Sequence, residues 1–330
     1  MPKVLILHTG GTLGMTGEPL KPDAFATALT DAVPEITGIA ELETRIVFNL
    51  DSSDIGPDHW TRLATEIDGA RHEFDGFVIV HGTDTMAYTA SALSYALLNL
   101  GKPVILTGAQ RPLAALRTDA RRNLVDAVEL ATLPLEGVGI CFDGLLLQGP
   151  RTTKSNAQDY RAFDSPGSAP VARLGVDINL ERAQPPSGGS YLFRPQFDPS
   201  VLVVHVAPGM SSEIISQLWK RNTALRALVL AAYGLGTVPT QGQFDVSEMV
   251  RRAVGEGIDV LVVTQAAGKI NLNQYENSRA LKRAGAIAGG GMTLEAGVTK
   301  MMHGLANFED AKDRRAYLSS NIVGERGGQR

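Results

Sequence analysis

The chain has 330 residues, long for one core and suited to two domains of roughly 150 residues each. Apolar residues make up 44% and charged residues 20%, an ordinary globular balance that can bury cores without disulfides. The formal net charge is −4, with Lys and Arg scattered and aromatics at 6%, so no basic field or stacking surface for nucleic acid is written into the sequence.

In chain order, the apolar run Val4–His8 reads as a strand. It is too short for a signal peptide and breaks at once into "HTGGT". Arg45–Asn49 reads as a strand leading into "NLDSSD", and Pro57–His72 as a helix. Phe77–His81 is a strand that ends in "HGTDT", and Thr85–Asn99 a helix. Its apolar stretch "MAYTASALSYALLNL" falls short of the ~20 residues that span a bilayer, so no membrane span is expected. Strands follow at Val104–Thr107, Gly139–Phe142 and Leu145–Gln148, with a helix at Thr118–Ala131. Cys141 is the only cysteine, which excludes an intramolecular disulfide and favours a reducing, cytoplasmic setting.

From Leu180 to Ser200 the text changes to "LERAQPPSGGSYLFRPQFDPS", whose Pro-Pro and Gly-Gly pairs mark a linker. Beyond it lie strands at Val201–Val206, Ala227–Ala231 and Asp259–Thr264. Helices are expected at Ser211–Arg221, Val246–Gly255 and Thr293–Gly304. Continuous apolar strands alternating with helices imply an α/β fold, with mainly parallel sheets flanked by helices. The expected division is a larger N-terminal domain over 1–180, a linker over 181–200 and a smaller C-terminal domain over 201–330.

In open parallel sheets, ligands bind beyond the carboxyl ends of the strands. Five such ends read "HTGGT", "NLDSSD", "HGTDT", "TGAQRP" and "QGPRTTK". The simpler reading is that their Ser, Thr and Asp residues cap the next helix. The alternative is a shared site, since each loop also carries a small residue that lets backbone approach a ligand. Thr12 and Thr83 are the candidate nucleophiles, each on a glycine turn. A hydroxyl needs a base, and the available one is Lys154, if burial or a nearby charge lets it lose a proton. Asp84 is placed to hold that lysine or to bind a substrate ammonium group. Backbone N–H groups beside Gly11 and Thr83 are candidate oxyanion donors.

His8 and His81 end apolar strands and read first as structural hydrogen-bonding groups. The six histidines show no metal-binding spacing, so no metal is expected. "TGGTLG" lacks the G-x-G-x-x-G dinucleotide pattern and the G-K-[ST] ending of a P-loop, so no cofactor is expected.

These segments together resemble the bacterial-type L-asparaginases. "TGGT" and "HGTDTM" are similar to that family's paired threonine signatures. "LDSSDIGPDHW", "TGAQRP", "LRTDARRNL", "RTTKSNAQDYRAFDSP", "AAYGLGTVP", "VVTQAAGKINLNQYENSRAL" and "GMTLEAGVTKM" follow in the family's order, closest to its cytoplasmic type I branch. The resemblance implies hydrolysis of L-asparagine to L-aspartate and ammonia without a cofactor. It implies two α/β domains, the second flavodoxin-like, in a homodimer or homotetramer.

By position it implies Thr12 as nucleophile, with Thr83, Asp84 and Lys154 as a second catalytic group. Gly11, Asp51, Ser52, Ser53, Thr83 and Asp84 would bind substrate, and the Ala109 carbonyl would meet the side-chain amide. The family's loop tyrosine has no counterpart in "LGMTGEPLKPDAF", Leu13 to Phe25, and Tyr275 is a distant candidate to replace it. The arginine of the effector site in some type I relatives is replaced by Ala231 and Ala232, which implies hyperbolic kinetics. Two alternatives stay open: an amidohydrolase acting on glutamine or another amide, and a degenerate amino-acid-binding regulatory paralogue. A component of a tRNA-dependent amidotransferase would carry an extra N-terminal domain, for which a first motif at Thr9 leaves no room.

Overall fold

The computed structural model describes residues 1–16, 21–22, 29–181, 188–221 and 224–327. They divide into two compact units, Met1–Pro195 and Gln196–Arg330. The division falls inside the stretch read as a linker, of which residues 182–187 lie outside the described residues.

The first unit is built on an eight-stranded sheet. Its strands are β1 (Lys3–Gly10), β2 (Glu41–Leu50), β3 (Gly76–Val80), β4 (Pro103–Thr107), β5 (Gly137–Phe142) and β6 (Leu145–Gln148). A two-stranded pair, β7 (Thr153–Lys154) and β8 (Phe163–Asp164), stands apart from the sheet, which is completed by β9 (Ala172–Leu174) and β10 (Ile178–Leu180). The sheet order is β10-β9-β6-β5-β4-β3-β1-β2. Pairing is parallel from β2 through β5 and antiparallel from β5 to β10.

Burial explains the composition of these strands. All five residues of β3 and of β4 are buried, because layers cover both faces, so apolar residues run continuously instead of alternating. On one face Val4, Ile6, Val78, Val80 and Ile105 pack with Leu124, Ala127 and Val128 of α3 (Ala120–Ala131). Two further helices, α1 (Pro57–Ala70) and α2 (Met86–Ala96), pack on each other. Ten of the eleven residues of α2 are buried, which accounts for a helix apolar on every side. Among the described residues no helix is long and apolar enough to cross a membrane.

The second unit has four parallel strands, β11 (Val201–His205), β12 (Ala227–Ala232), β13 (Asp259–Thr264) and β14 (Ile287–Ala288), in sequential order. Helices α4 (Ser212–Arg221), α5 (Val246–Gly255) and α6 (Glu276–Arg283) contribute Trp219, Met249, Val250 and Leu281 to one apolar cluster. Crossovers of one hand stepping in one direction lay their helices on one face. Helix α7 (Leu294–Asn307) packs on β11, β12 and β13, and α8 (Ala311–Ser319) on α7. The layering is that of a flavodoxin-like unit. The strand reversal of the flavodoxin order is not found among the described strands.

Candidate active site

The two threonine loops meet through glycine. β1 and β3 are paired neighbours, so their ends emerge side by side. Gly10 and Gly11 take φ values of 104° and 87°, a region costly for any residue with a Cβ. A Cβ on Gly11 would lie 2.6 Å from the Gly82 Cα, and one on Gly82 would lie 2.6 Å from Ser52 Oγ. The backbones of "TGGT" and "HGTDT" are therefore in direct contact, and the Ser52 side chain of "DSSD" packs against Gly82. Thr9 adds a buried tie, its hydroxyl donating to the Val80 carbonyl at 2.8 Å.

Capping explains few of the polar side chains here. Thr85 precedes α2 without capping it, and its hydroxyl donates to the Ser52 carbonyl at 2.6 Å. Asp119 precedes α3 without capping it. Its carboxylate accepts from the backbone N–H of Gln110 at 2.9 Å and of Arg111 at 3.1 Å. These groups bind one loop to another. Asp51 does cap its own short turn, Ser52–Asp54, accepting from the Ser53 N–H at 2.8 Å and the Ser53 hydroxyl at 2.7 Å. Those two bonds hold its carboxyl below the ordinary range, against a small opposing effect of burial.

Lys154 arrives by a route that the strand-end argument does not give. β6 runs antiparallel to β5, with Gln148 opposite Gly139, so "QGPRTTK" leaves the sheet at the amino ends of the parallel strands. The expectation that five strands deliver their loops to one edge is corrected to four. The chain then packs its Gly149–Arg151 turn against α2 and enters the β7–β8 pair. Lys154 Nζ there donates to Thr83 Oγ1 at 2.7 Å and to Asp84 Oδ1 at 2.6 Å. The Thr83 hydroxyl is directed to Gln110 Oε1, a long 3.4 Å contact. Thr83 is buried, whereas the Asp84 side chain is 66% exposed.

His81 is fully buried, and burial pushes its pKa down to about 4 against a weaker opposing bond to Gly82. Its Nδ1 lies 2.7 Å from the Gly82 carbonyl and its Nε2 2.9 Å from Thr89 Oγ1. His8 Nδ1 accepts from the Gly10 N–H at 3.2 Å, and burial lowers its pKa. Both imidazoles bind loop backbone, as expected of structural groups.

Thr12 starts a short turn, Thr12–Gly14, and is half-buried. The Gly11 N–H donates to the Leu50 carbonyl at 3.2 Å, which leaves the next amide, that of Thr12, as the N–H beside it. Ser52 and Ala109 are buried, and Asp51 and Ser53 are exposed. Of the loop Leu13–Phe25, residues 17–20 and 23–25 lie outside the described residues. Tyr275 belongs to the second unit, where it precedes α6 and is exposed.

Gln110, Asp119 and Asn123 join the site without having stood out in the sequence. Gln110 bridges Thr83 to the Asp159 carbonyl, the latter at 2.9 Å. Asn123 Nδ2 donates to the Gly108 carbonyl at 3.0 Å and to Asp119 at 3.2 Å. The signal for them lies in "TGAQRP" and "LRTDARRNL", two polar stretches flanking a strand end and a helix start.

Residues 3–186 match the family described as asparaginase, N-terminal, and residues 200–318 match the glutaminase/asparaginase C-terminal domain. L-asparaginase 1 of Escherichia coli (strain K12) is 36% identical over 98% of this chain and 97% of that protein. A glutamyl-tRNA(Gln) amidotransferase component of Pyrococcus abyssi is 34% identical over 98% of this chain and 77% of that protein. The solved structure of the thermostable L-asparaginase from Thermococcus kodakarensis superposes with a TM-score of 0.90 at 34% identity, covering 99% of this chain and 100% of that one. With both halves matched and the two threonine loops joined at one sheet edge, the chain belongs to the asparaginase family.

Proposed function

We propose that the protein hydrolyses L-asparagine to L-aspartate and ammonia through an acyl-enzyme on Thr12. The observation that carries this reading is Lys154 Nζ at 2.7 Å from Thr83 Oγ1, on a loop in contact with the glycine turn that bears Thr12. Thr12 Oγ attacks the side-chain amide carbon, and its proton passes to the Thr83–Lys154 pair. At rest Lys154 donates to Thr83 Oγ1; to accept the proton in this step it must act as the free amine. The carbonyl oxygen becomes an oxyanion, met by the backbone N–H groups of Thr12 and Thr83. Collapse breaks the C–N bond, and the departing nitrogen takes the proton and leaves as ammonia. Water then adds to the Thr12 ester, returns a proton to Thr12 and releases L-aspartate.

Asp84 offers Oδ1 to Lys154, and its second oxygen receives the substrate ammonium. Asp51, Ser52, Ser53 and Gly11 line the α-carboxylate side, and the Ala109 carbonyl accepts from the amide. The same reading carries a cytoplasmic enzyme assembled as a homodimer or homotetramer. The buried, unpaired Cys141 supports the compartment, and sedimentation of the purified protein tests the assembly.

The deciding experiment is ammonia release by purified protein over a range of L-asparagine, with L-glutamine in parallel. Saturable turnover of asparagine is expected. Preference for glutamine would move the substrate by one methylene, a difference worth about 1–3 kcal/mol in a pocket. Silence on both amides, with aspartate still bound, would overturn the reading in favour of an amino-acid sensor.

A further inference from the structure

We propose that His81 is a positioning residue: as a neutral imidazole protonated on Nδ1, it locks the Gly82–Thr83 peptide plane and thereby aims the Thr83 N–H. This inference rests on the reading of Thr83 as part of an amide-hydrolysing site.

The proton positions follow from the network. The Trp60 indole N–H is a donor only, and it donates to Thr89 Oγ1 at 3.1 Å. That hydroxyl can accept from two groups, so the indole bond alone does not place its proton. The Gly82 carbonyl decides, because it can only accept and lies 2.7 Å from His81 Nδ1. The single proton of the neutral ring therefore sits on Nδ1, and Nε2 accepts from the Thr89 hydroxyl at 2.9 Å. Each partner satisfies the next, and all are buried: Trp60 on α1 at 3% exposure, Thr89 on α2 at 0% and His81 at 1%. A buried chain whose direction is fixed by an acceptor-only end has one arrangement.

The consequence lies on the other side of one peptide bond. A trans peptide is planar, with its carbonyl and N–H pointing in opposite directions. Holding the Gly82 carbonyl against His81 therefore sets the direction of the Thr83 N–H and of the Thr83 Cα that follows. α1 and α2 thus reach a donor that neither of them touches. Burial at a pKa of about 4 keeps the ring uncharged at neutral pH, so the direction of the chain does not reverse there.

Three measurements test this. Imidazole ¹⁵N NMR of the wild-type protein should show His81 as the Nδ1–H tautomer, and the Nε2–H tautomer would overturn the proposal whatever the activity. His81→Leu removes the donor, whereas His81→Asn keeps an amide donor near the position of Nδ1. Removing one oxyanion donor costs on the order of 100-fold or more in kcat, so that loss is expected for the leucine variant. KM should stay within about threefold, and asparagine at 81 should restore most of the rate. Equal kcat losses in both variants, or none in either, would overturn it.

A crystal structure of His81→Leu should show the Gly82–Thr83 peptide turned, and an unchanged peptide would overturn the proposal. That readout needs no activity, so it still decides if wild-type protein proves inert and the proposed function falls. If His81→Leu does not fold, Thr89→Val should lower kcat while Thr89→Ser restores it, and equal rates in those two variants would overturn the proposal.

Discussion

Lys154 holds Thr83 and Asp84 at hydrogen-bond distance, yet two thirds of the Asp84 side chain is open to solvent. An ion pair so exposed contributes at most about 1 kcal/mol to stability, so folding gains little from the arrangement. Lys154→Met and Thr83→Val are each expected to lower kcat by roughly 100-fold or more, the range of a lost proton-transfer group. Thermal unfolding should stay within a few degrees of wild type. Turnover near wild type in either variant would break the proposed pair. Thr12→Ala should form no acyl-enzyme, which quenched-flow mass spectrometry checks, and an adduct trapped in that variant would point first to Thr83.

His81 also makes stability depend on pH. Its folded pKa of about 4 lies below the ordinary 6.5, so the unfolded chain binds a proton that the folded chain refuses. The contribution is complete above pH 6.5 and is lost as pH falls toward 4, by up to about 3 kcal/mol for a group buried this fully. Buried His8 acts in the same direction. His81→Asn should flatten part of this acid slope, as read from urea midpoints across that window.

Among elements, the loops depend on glycine where backbones touch. Gly11→Ala would place a Cβ 2.6 Å from the Gly82 Cα at a φ of 87°. Left-handed strain and overlap together should cost about 3 kcal/mol or more and abolish ammonia release. Gly69→Ala, in α1 with nothing within 4 Å of the new Cβ, should instead stabilise by about 0.5–1 kcal/mol. Paired melting curves would check the contrast.

The strands and the long helices are legible in the sequence because apolar runs and turn residues are local signals. The reversal at β6 is not, since a buried strand reads the same in either direction and only its partner fixes the sense. α8 escapes for another reason. Its "AKDRRAYLS" is mostly polar, with only Arg314 and Leu318 buried, so no apolar period marks it. Of the proposed site, Thr12, Thr83 and Lys154 stand out in the sequence because each is of a residue type that the proposed chemistry requires. Gln110 acts through distant partners, Thr83 and Asp159, while Asp119 and Asn123 bind backbone and side-chain groups of the neighbouring loop, which residue type and spacing do not announce.

For the whole molecule, the boundary between the units, after Pro195, lies in a proline- and glycine-rich stretch whose short strand Leu192–Phe193 pairs with Leu97–Leu98, outside both larger sheets. The second unit bears on regulation. Ala231 and Ala232 are buried in β12, where methyl groups offer an effector no charged partner. Rate against asparagine concentration should therefore be hyperbolic, and a sigmoidal curve would sink that expectation.

The detour taken by Lys154 sets a timetable. Lys154 and Thr83 are 71 residues apart in sequence, as are the tied residues Thr9 and Val80. A growing chain that has just released residue 148 already holds the strands bearing both threonines, but it lacks the β7–β8 pair that carries the lysine. The lysine's contact must also wait for β7 and β8 to pair, a step that the equally distant tie of Thr9 to Val80 does not need. On refolding from denaturant, secondary structure should return first and ammonia release after it, with the lag set by the seating of one short pair of strands.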